Sequence, residues 1–567
     1  MIEAMTSTLQ HRGPDDRGIW ISPEAHLGHT RLSILDLSAA GHQPMEHGHL
    51  VLTYNGEIYN FRELRKELDG PFQSDSDTEV LLRLLDRDGL RCVDRLCGMF
   101  SFAAWDQSRR RLLVARDRLG IKPFYYRELD GGFAFASEAK ALLELGRPPA
   151  DPSALRDVLT YGYVPTPKSA WKGIRKLPAG HTLVWENNRT IIERYWRPEP
   201  RVEITDMGEA CERLDELLRE IVPLHTLADV PVGVFLSGGI DSTVVTSFLR
   251  RPHTFTLGQD IARRSEAPAA RRAAEHFSTV HREEIAGRID LERALDMMPA
   301  IFDEPYGDSA AWSVWLVSQL ARSEVAVALS GEGGDELFCG YQWYSRYFET
   351  ASRRWARTLG RLVPPFTDLG RSLHRRGATG LAKYASFLVV FTDQQRRALI
   401  GPRLEHAHED DLWHFRAHWR EDLDPIRRMQ WADLHTYLPD AMLTKVDRAS
   451  MAHSLEVRPP LLDHRLVEFA LALDPDLQRD IPGNKGKLVL RRLMADRVPA
   501  GHFDLPKRGF NLPIRQWLRR HPGLLDGALD RLADAGLIRR QPTAHFKGEQ
   551  AWTLLVLDRW MTASGTL

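Results

Sequence analysis

Residues 232–242, which read Val-Gly-Val-Phe-Leu-Ser-Gly-Gly-Ile-Asp-Ser, decide the fold of the second half of this chain. An apolar run from Val232 to Leu236 stops at a polar loop, and a helix-like run from Thr243 to Leu249 follows the loop. This order of strand, loop and helix turns backbone N–H groups and a helix N-terminus towards an anion. The stretch therefore predicts a phosphate-binding loop.

The loop contains small and hydroxyl residues that suit phosphate oxygens, namely Ser237, Gly238, Gly239 and Ser242. The glycines let backbone amides approach a phosphate closely. Asp241 would repel a phosphate unless a cation lay between them, so the loop predicts a magnesium-bound polyphosphate. The alternative is an ordinary turn between a buried strand and a helix. The spacing is not that of a P-loop, which needs Gly-Lys-Ser/Thr; Ser-Gly-Gly-x-Asp-Ser resembles the pyrophosphate loop of N-type ATP pyrophosphatases, which activate a carboxyl or carbonyl group by adenylation.

Strands and helices alternate from about residue 254 to residue 329, which predicts a doubly wound parallel sheet. Ligands bind at the carboxyl ends of such strands. Ser237, Gly258 and Ser330 are predicted to lie at those ends, so three loops distant in sequence are expected to meet over one pocket. Residues 340–567 read as mostly helical.

The acidic loop Ser330-Gly-Glu-Gly-Gly-Asp-Glu336 follows one of these strands. Its crowded carboxylates are tolerable if magnesium or an ammonium-like group is bound, although a solvated acidic turn is the alternative. The loop resembles the Ser-Gly-Glu-Gly-x-Asp-Glu loop of asparagine synthetases. That resemblance implies that Ser330 and Gly331 contact AMP, that Glu332 orients or deprotonates the attacking ammonia, and that Asp335 holds magnesium together with Asp241.

The same resemblance extends along the second half. It implies that Leu236 and Leu257 flank the adenine, and that Lys487 neutralises charge as pyrophosphate leaves. Residues 445–458 also match a stretch of the family, although a salt-bridged helix face is the alternative interpretation. Residues 506–510 match another stretch, to which no role is assigned.

The first domain, residues 1 to about 195, combines many short strands with a few helices, which suggests a layered α+β domain. Arg31, Asn55-Gly56-Glu57 and Asp77 lie at predicted strand ends. An arginine for a carboxylate, an acid for an ammonium group and an Asn-Gly pair for an oxyanion would together hold an amino-acid amide. Taken singly, they also suit a solvated strand end, a turn and a helix N-cap.

This domain resembles the glutamine amidotransferase domain of asparagine synthetases, which has an N-terminal-nucleophile hydrolase fold. The stretches that carry the resemblance are residues 11–16, 31–36, 54–60, 76–79 and 116–123. It implies that Arg31, Asn55, Gly56, Glu57 and Asp77 bind glutamine, with Asn55 and Gly56 as the oxyanion hole.

The family's nucleophile is a cysteine in an N-terminal Met-Cys-Gly-Ile, whereas this sequence starts with Met-Ile-Glu and has no cysteine before Cys92. As written, the chain is expected not to hydrolyse glutamine. One hypothesis is that Met1 is an internal methionine and that the true start lies one strand and loop upstream. The other is a natural loss of glutaminase, with ammonia or an internal amine as the nucleophile.

The bulk composition indicates a globular protein of at least two domains: 567 residues, 43% hydrophobic and 27% charged. A net charge of −1 gives no argument for nucleic acid as a partner. Four cysteines are too few for a disulfide framework and fit the reducing cytoplasm. No apolar stretch approaches a membrane span and no secretory signal is present, so a membrane is not expected as a partner.

The sequence as a whole predicts an amidotransferase domain, residues 1–195, and an ATP pyrophosphatase domain, residues 205–567. The leading interpretation is an asparagine synthetase that uses ATP, Mg²⁺, aspartate and either ammonia or glutamine. A second interpretation is a related amide ligase of the β-lactam synthetase or lasso-peptide cyclase type with another acceptor. A third is a non-catalytic module that binds glutamine or a nucleotide. Dimers are usual in the resembled family, so a homodimer is one oligomeric state that the resemblance allows, and the sequence leaves that state open.

Overall fold

The computed structural model describes residues 1–259, 265–286, 290–350, 352–407, 410–503 and 514–566. The predicted match at residues 506–510 lies outside these ranges. The strands of the first half are β1 (Asp16–Ile21), β2 (His26–Arg31), β3 (Met45–His47), β4 (Leu50–Ile58), β5 (Gly98–Asp106), β6 (Arg111–Arg116), β7 (Tyr125–Leu129), β8 (Gly132–Ala136), β9 (Ile174–Lys176), β10 (His181–Glu186) and β11 (Arg189–Arg194). Its helices are α1 (Ile2–Ser7), α2 (Phe61–Arg65), α3 (Asp77–Asp88), α4 (Ala139–Leu143) and α5 (Pro152–Tyr161).

The strands of the second half are β12 (Val232–Phe235), β13 (His253–Gln259), β14 (Val280–Ala286), β15 (Val327–Leu329), β16 (Glu456–Arg458), β17 (Arg479–Asp480) and β18 (Lys485–Gly486). Its helices are α6 (Met207–Leu224), α7 (Ile240–Ser247), α8 (Ala267–His276), α9 (Leu291–Phe302), α10 (Ala311–Arg322), α11 (Gly334–Leu337), α12 (Gln342–Glu349), α13 (Arg354–Gly360), α14 (Asp368–Gly377), α15 (Gly380–Leu388), α16 (Asp393–Leu399), α17 (Trp413–Ala417), α18 (Pro425–His435), α19 (Thr444–Met451), α20 (His464–Ala472), α21 (Pro475–Gln478), α22 (Leu488–Met494), α23 (Ile514–Arg520), α24 (Pro522–Asp534) and α25 (Glu549–Ser564).

Antiparallel sheets form the first half, as its short strands and turns predict. The largest has the order β11-β10-β6-β5-β4-β3, and β8-β7-β9 and β1-β2 form two smaller sheets. The amphipathic helix α3 buries Val80, Leu81 and Leu84 in a cluster with Leu52 and Phe102 of the large sheet. This arrangement confirms the predicted layered α+β architecture.

The second half contains the predicted parallel sheet, in the order β14-β13-β12-β15-β16. The chain moves from β12 outward to β13 and β14, and then returns to the other side of β12 with β15. The strand order therefore reverses between β12 and β15, and a crevice at the carboxyl ends of these two strands is the usual ligand site of an open α/β sheet.

Two predicted strand ends are placed differently by the structure. Asn55, Gly56 and Glu57 do not follow a strand, because β4 continues through them to Ile58 and pairs with β5 along its whole length. Gly258 lies inside β13, one residue before its end, because β13 pairs with β14 over seven residues. β15 ends at Leu329, so the acidic loop begins at the predicted Ser330, whereas β12 ends at Phe235, one residue before the predicted end at Leu236.

The two halves are joined by buried ion pairs. Arg12 contacts Asp447 at 2.8 and 2.9 Å and Glu138 at 2.9 Å, and Lys122 contacts Glu456 at 3.1 Å. A buried charge is tolerated only when it is paired, so these contacts fix how the halves meet. No helix of the described residues is both long and apolar enough to span a membrane.

Candidate active sites in the two halves

The loop after β12 folds back on itself through its hydroxyl groups. Ser242 Oγ accepts a hydrogen bond from the Ser237 N–H at 3.1 Å and lies 3.0 Å from Ser237 Oγ, which in turn accepts from the Gly239 N–H at 3.2 Å. Gly239 is the N-cap of α7, so the loop ends at a helix N-terminus. The predicted strand–loop–helix geometry is present, and the helix dipole there favours an anion.

Gly238 has a left-handed backbone, with φ of +73°. A Cβ atom at this position would lie 2.4 Å from the carbonyl carbon of Ala269, which belongs to α8. The close approach of loop and helix therefore requires glycine. Gly239 differs, because its φ is −73° and its Cβ would meet only Ser237 Oγ at 3.2 Å.

We expect Gly238→Ala to lower the free energy of unfolding by about 1–3 kcal/mol, since it adds backbone strain and a steric overlap. Urea unfolding measures this loss. Gly239→Ala is the matched control and should change stability by less than about 1 kcal/mol. Equal losses in the two variants would contradict the role given to the left-handed turn.

The acidic loop after β15 packs directly against the loop after β12. A Cβ at Gly331 would lie 2.7 Å from the Ser242 nitrogen, and one at Gly334 would lie 2.3 Å from Asp241 Oδ1. Ser330 is 3% exposed, and its hydroxyl has no hydrogen-bond partner within the described residues. A buried hydroxyl without a partner carries an energetic cost that a ligand can remove.

Lys487 joins these loops from a distant part of the chain. Its Nζ lies 2.7 Å from Asp335 Oδ1 and also forms a short ion pair with Asp241 Oδ2. Lys487 is 4% exposed, has a left-handed φ of +60° and donates its N–H to the Phe338 carbonyl at 2.9 Å. The structure thus brings together the three charged side chains that the sequence assigned to magnesium and pyrophosphate.

The crowding of carboxylates in the acidic loop has a measurable consequence. Burial and the neighbouring Asp335 raise the pKa of Glu336 to about 8, although Tyr341 donates a hydrogen bond to it at 2.7 Å. Glu332 is half-buried. Burial lowers the pKa of Lys445, but the neighbouring carboxylates, Asp308 and then Glu332, outweigh burial and raise that pKa above its usual value. Lys445 contacts Asp308 at 2.9 Å.

The two leucines assigned to adenine occupy different surroundings. Leu236 is 1% exposed and packs against Ala270, Ala273 and Ala274 of α8. Its backbone accepts a short hydrogen bond from Thr256 Oγ1, and its side chain belongs to the core in this structure. Leu257 is half-buried in β13.

A cavity of about 480 Å³ in the first half contains all five residues assigned to glutamine. Those residues are Arg31, Asn55, Gly56, Glu57 and Asp77. Met451 and Glu456 of the second half also line it, so the cavity reaches the junction of the two halves. The Asn55 Nδ2 group is buried and has no hydrogen-bond partner within the described residues, as expected of a donor that awaits a ligand.

The charged members of this cavity have defined partners. Arg31 donates to the backbone carbonyls of Leu35 at 3.0 Å and Ser38 at 3.1 Å. Asp77 is not the N-cap of α3, which is Ser76. Its carboxylate instead accepts hydrogen bonds from Tyr54 Oη at 2.6 Å and the Ile58 N–H at 2.9 Å.

Burial raises the pKa of Asp77 to about 6. Because this value lies above the ordinary 3.8, the native state binds the proton more tightly, and the stability from protonation is lost as the pH rises through 6. Between roughly pH 5 and pH 7.5, we expect the free energy of unfolding of wild type to fall by about 1.4 kcal/mol more than that of Asp77→Asn, as measured by urea unfolding. Asp75→Asn, an exposed neighbour, is the control and should keep the wild-type slope. An unchanged slope in Asp77→Asn would contradict the raised pKa.

Arg458 is a site residue to which sequence analysis assigned no role. Its guanidinium contacts Glu57 at 2.8 Å and Glu456 at 2.9 Å, and it donates to the carbonyls of His225 and Leu227. Its own carbonyl accepts the Ser330 N–H at 2.9 Å. Glu456 and Arg458 alternate with the apolar Leu455 and Val457, and this pattern could have indicated a strand with buried charges.

Comparison with known proteins matches each half of the chain to a protein family. The family model for asparagine synthase matches residues 213–562, and the model for a glutamine amidotransferase domain matches residues 1–196. The chain belongs to the asparagine synthetase family. It is 35% identical to a putative glutamine-hydrolysing asparagine synthetase of Mycobacterium tuberculosis H37Rv, over 97% of this chain and 92% of that protein. It is 32% identical to glutamine-hydrolysing asparagine synthetase 1 of Bacillus subtilis 168, over 92% of this chain and 85% of that protein.

Membership makes the chain an ATP-dependent, amide-forming ligase of the asparagine synthase type. The family model for the glutamine amidotransferase domain also covers the first-half residues that line the cavity. The resemblance stated from sequence is therefore confirmed at the level of the family.

Proposed function

We propose that this ligase converts aspartate to asparagine through a β-aspartyl-AMP intermediate. The observation that carries the proposal is the contact of Lys487 Nζ with both Asp241 and Asp335 at the point where the strand order reverses. The printed names of the relatives, which are asparagine synthetases, support the choice of acceptor.

In the first step the aspartate side-chain carboxylate attacks the α-phosphorus of ATP, and pyrophosphate leaves. The Ser237–Ser242 hydroxyls and the N-terminus of α7 bind phosphate oxygens, and Lys487 neutralises the charge that builds up on the leaving group. Adenylation replaces a poor leaving group with a good one. Protein residues need only position the substrates and stabilise charge on phosphate.

The residues present fit a magnesium ion. Asp241 and Asp335 both reach one ammonium nitrogen, so both can reach one small cation, and Mg²⁺ is commonly held by one or two carboxylates together with substrate phosphates. Substrate phosphates would supply the remaining ligands of the ion. When bound, the ion would neutralise triphosphate charge. Lys487 would supply its positive charge to the leaving pyrophosphate.

In the second step ammonia attacks the acyl carbon and AMP leaves. Glu332 follows β15 in the loop that also carries Ser330 and Gly331, which suits a carboxylate that orients the ammonia or takes its proton. Ser330 and Gly331 contact the AMP phosphate in this proposal.

Ammonia is the proposed nitrogen source for the polypeptide of residues 1–567. Arg31, Asn55, Gly56, Glu57 and Asp77 would bind glutamine, but hydrolysis needs a thiol nucleophile at the cavity. No cysteine of the described residues lines it, and burial raises the pKa of Cys92 to about 12. Glutamine would become a nitrogen source where a cysteine nucleophile is supplied to this cavity.

The test is to incubate the purified chain with ATP, magnesium and aspartate, and to measure AMP, pyrophosphate and asparagine with ammonium or glutamine as the nitrogen source. We expect equal amounts of all three products with ammonium and none with glutamine. AMP formation with another carboxylic acid but not with aspartate would move the chain to a different acceptor. No AMP with any acid would refute the ligase chemistry.

Three narrower expectations stay proposals. The domain boundaries at residues 1–195 and 205–567 suit the change from antiparallel to parallel sheets. A cytoplasmic location rests on the four free cysteines. A homodimer rests on the family resemblance alone.

A further inference from the structure

Helices α13 and α14 form an antiparallel pair, which we term the basic hairpin (residues 352–378). The Arg353 N–H donates to the Arg376 carbonyl at 2.8 Å, and Ser352 Oγ donates to the Ala378 carbonyl at 2.9 Å. A Cβ at Gly377 would lie 2.7 Å from the Arg357 Cα, so the two backbones are in close contact. The hairpin is a defined structural unit.

The hairpin carries a row of exposed apolar side chains. Trp355, Leu359 and Leu362 follow one another at helical spacing and are 48%, 46% and 78% exposed. Ala356, next to Trp355, faces the opposite way and is fully buried. The apolar stripe therefore lies on the outer face of the hairpin, away from the core.

Exposed apolar residues are concentrated in this one region. Fourteen large hydrophobic residues of the described chain are exposed, and five of them fall between residues 348 and 369. They are Phe348, Trp355, Leu359, Leu362 and Leu369. Single exposed apolar residues are normal, whereas a cluster marks a contact surface.

The charge of the hairpin is strongly positive. Residues 353–377 contain seven arginines and one aspartate, although the whole chain has a net charge of −1. The aspartate, Asp368, already pairs with Arg371. Arg353, Arg357 and Arg361 are exposed and flank the apolar stripe in sequence. The surface thus combines an apolar row with fixed positive charge.

We propose that the basic hairpin docks on an anionic lipid surface. A helix with apolar side chains, including tryptophan, on one face and arginines beside them lies in the membrane interface plane. Each arginine near an anionic bilayer strengthens binding roughly fivefold. This mode needs no membrane-spanning segment, and it departs from the sequence-based expectation that a membrane is not a partner.

The other occupants fit the hairpin less well. A second copy of this chain would bring two sets of arginines together, and like charges oppose that contact. An acidic protein segment would satisfy the arginines but gives no reason for three apolar side chains in a row. The lipid surface satisfies both features, and it is independent of the proposed aspartate chemistry.

The experiment is sedimentation of the full chain with vesicles of phosphatidylcholine, with or without about 30% phosphatidylserine, at about 0.1 M salt. We expect at least roughly tenfold tighter binding to the anionic vesicles. Arg353→Glu/Arg357→Glu/Arg361→Glu should weaken it by roughly a hundredfold, and Trp355→Ser/Leu359→Ser/Leu362→Ser by roughly tenfold. Ammonium-dependent pyrophosphate release should be unchanged in both variants, which shows that they fold.

Ile191→Ser/Ile192→Ser is the matched control, because these residues are also exposed, at 57% and 39%, but lie on β11. It should bind vesicles like wild type. Equal binding to neutral and anionic vesicles would overturn the proposal. Binding to polyglutamate that persists in the variant without the apolar stripe would overturn it too and would indicate an acidic protein partner. A dimer that is lost only in that variant would also overturn it and would indicate a second copy of this chain.

Discussion

Lys487→Met should lower ammonium-dependent pyrophosphate release by roughly 10²–10³-fold, the usual effect of removing one preorganised charge from a reaction centre. Methionine keeps the length and the apolar stem of the side chain but removes the ammonium group. The variant removes the ammonium group that contacts Asp241 and Asp335, and with it the charge proposed to neutralise the departing pyrophosphate. The effect should appear in kcat more than in KM, since the charge develops during the reaction.

Lys485→Met is the matched control. Lys485 is exposed, two residues before Lys487 and on the short strand β18, so its loss should leave the rate within about twofold of wild type. Coupled assay of pyrophosphate with ammonium and aspartate measures both variants. A Lys487→Met enzyme with a near-normal rate would refute the role of this lysine.

The backbone around Lys487 shows how the fold holds that side chain in place. A left-handed conformation is unfavourable for lysine and persists only where surrounding contacts determine it. Here the contacts are the hydrogen bond to Phe338 and the close packing of Gly340, where a Cβ would lie 2.1 Å from Lys487 Cε and 2.0 Å from Asp335 Oδ1. Gly340 thus leaves room for the lysine to reach both aspartates, and the strain is located at the proposed reaction centre.

Local sequence was sufficient for the parallel sheet and for the loop after β12. The apolar run before Ser237 and the glycines after it define a strand and a turn without tertiary information. The contact of Asp241 with Lys487 joins residues 246 positions apart, and only the family resemblance gave Lys487 a role in advance. The role of Leu236 beside adenine came from the same resemblance and stays a prediction; its side chain packs against α8.

Strand ends and domain contacts could not be read from local sequence. Polar residues such as Asn55 usually end a strand, but pairing with Ser101 on β5 extends β4 through it. The role of Arg458 depends on Glu57, which lies 401 positions away. Charge patterns indicate that a residue needs a partner, and they do not identify a partner on another domain.

Arg458→Met is expected to lower the free energy of unfolding by about 3–5 kcal/mol, because it leaves the Glu57 carboxylate in the domain junction without its cation and leaves Glu456 with Lys122 alone. Arg458 is fully buried, and Glu57 and Glu456 are 2% and 5% exposed, so water cannot replace the lost contacts. Urea unfolding gives the loss. Arg213→Met, which removes an exposed pair with Glu209, should cost less than about 1 kcal/mol. Equal losses in the two variants would contradict a buried ion pair at the junction.

The double variant Arg458→Met/Glu57→Gln separates the pair from general packing. If an unpaired Glu57 carboxylate causes most of the loss, its neutral replacement should restore about 1–3 kcal/mol, a non-additivity that a double-mutant cycle measures. The Arg458 carbonyl also accepts the Ser330 N–H, so a displacement of Arg458 affects the acidic loop after β15 as well as the first-half cavity. We therefore expect Arg458→Met to reduce ammonium-dependent pyrophosphate release at temperatures where it remains folded, and the double variant to recover part of that rate. A rate equal to wild type in the folded single variant would show that the junction carries stability alone.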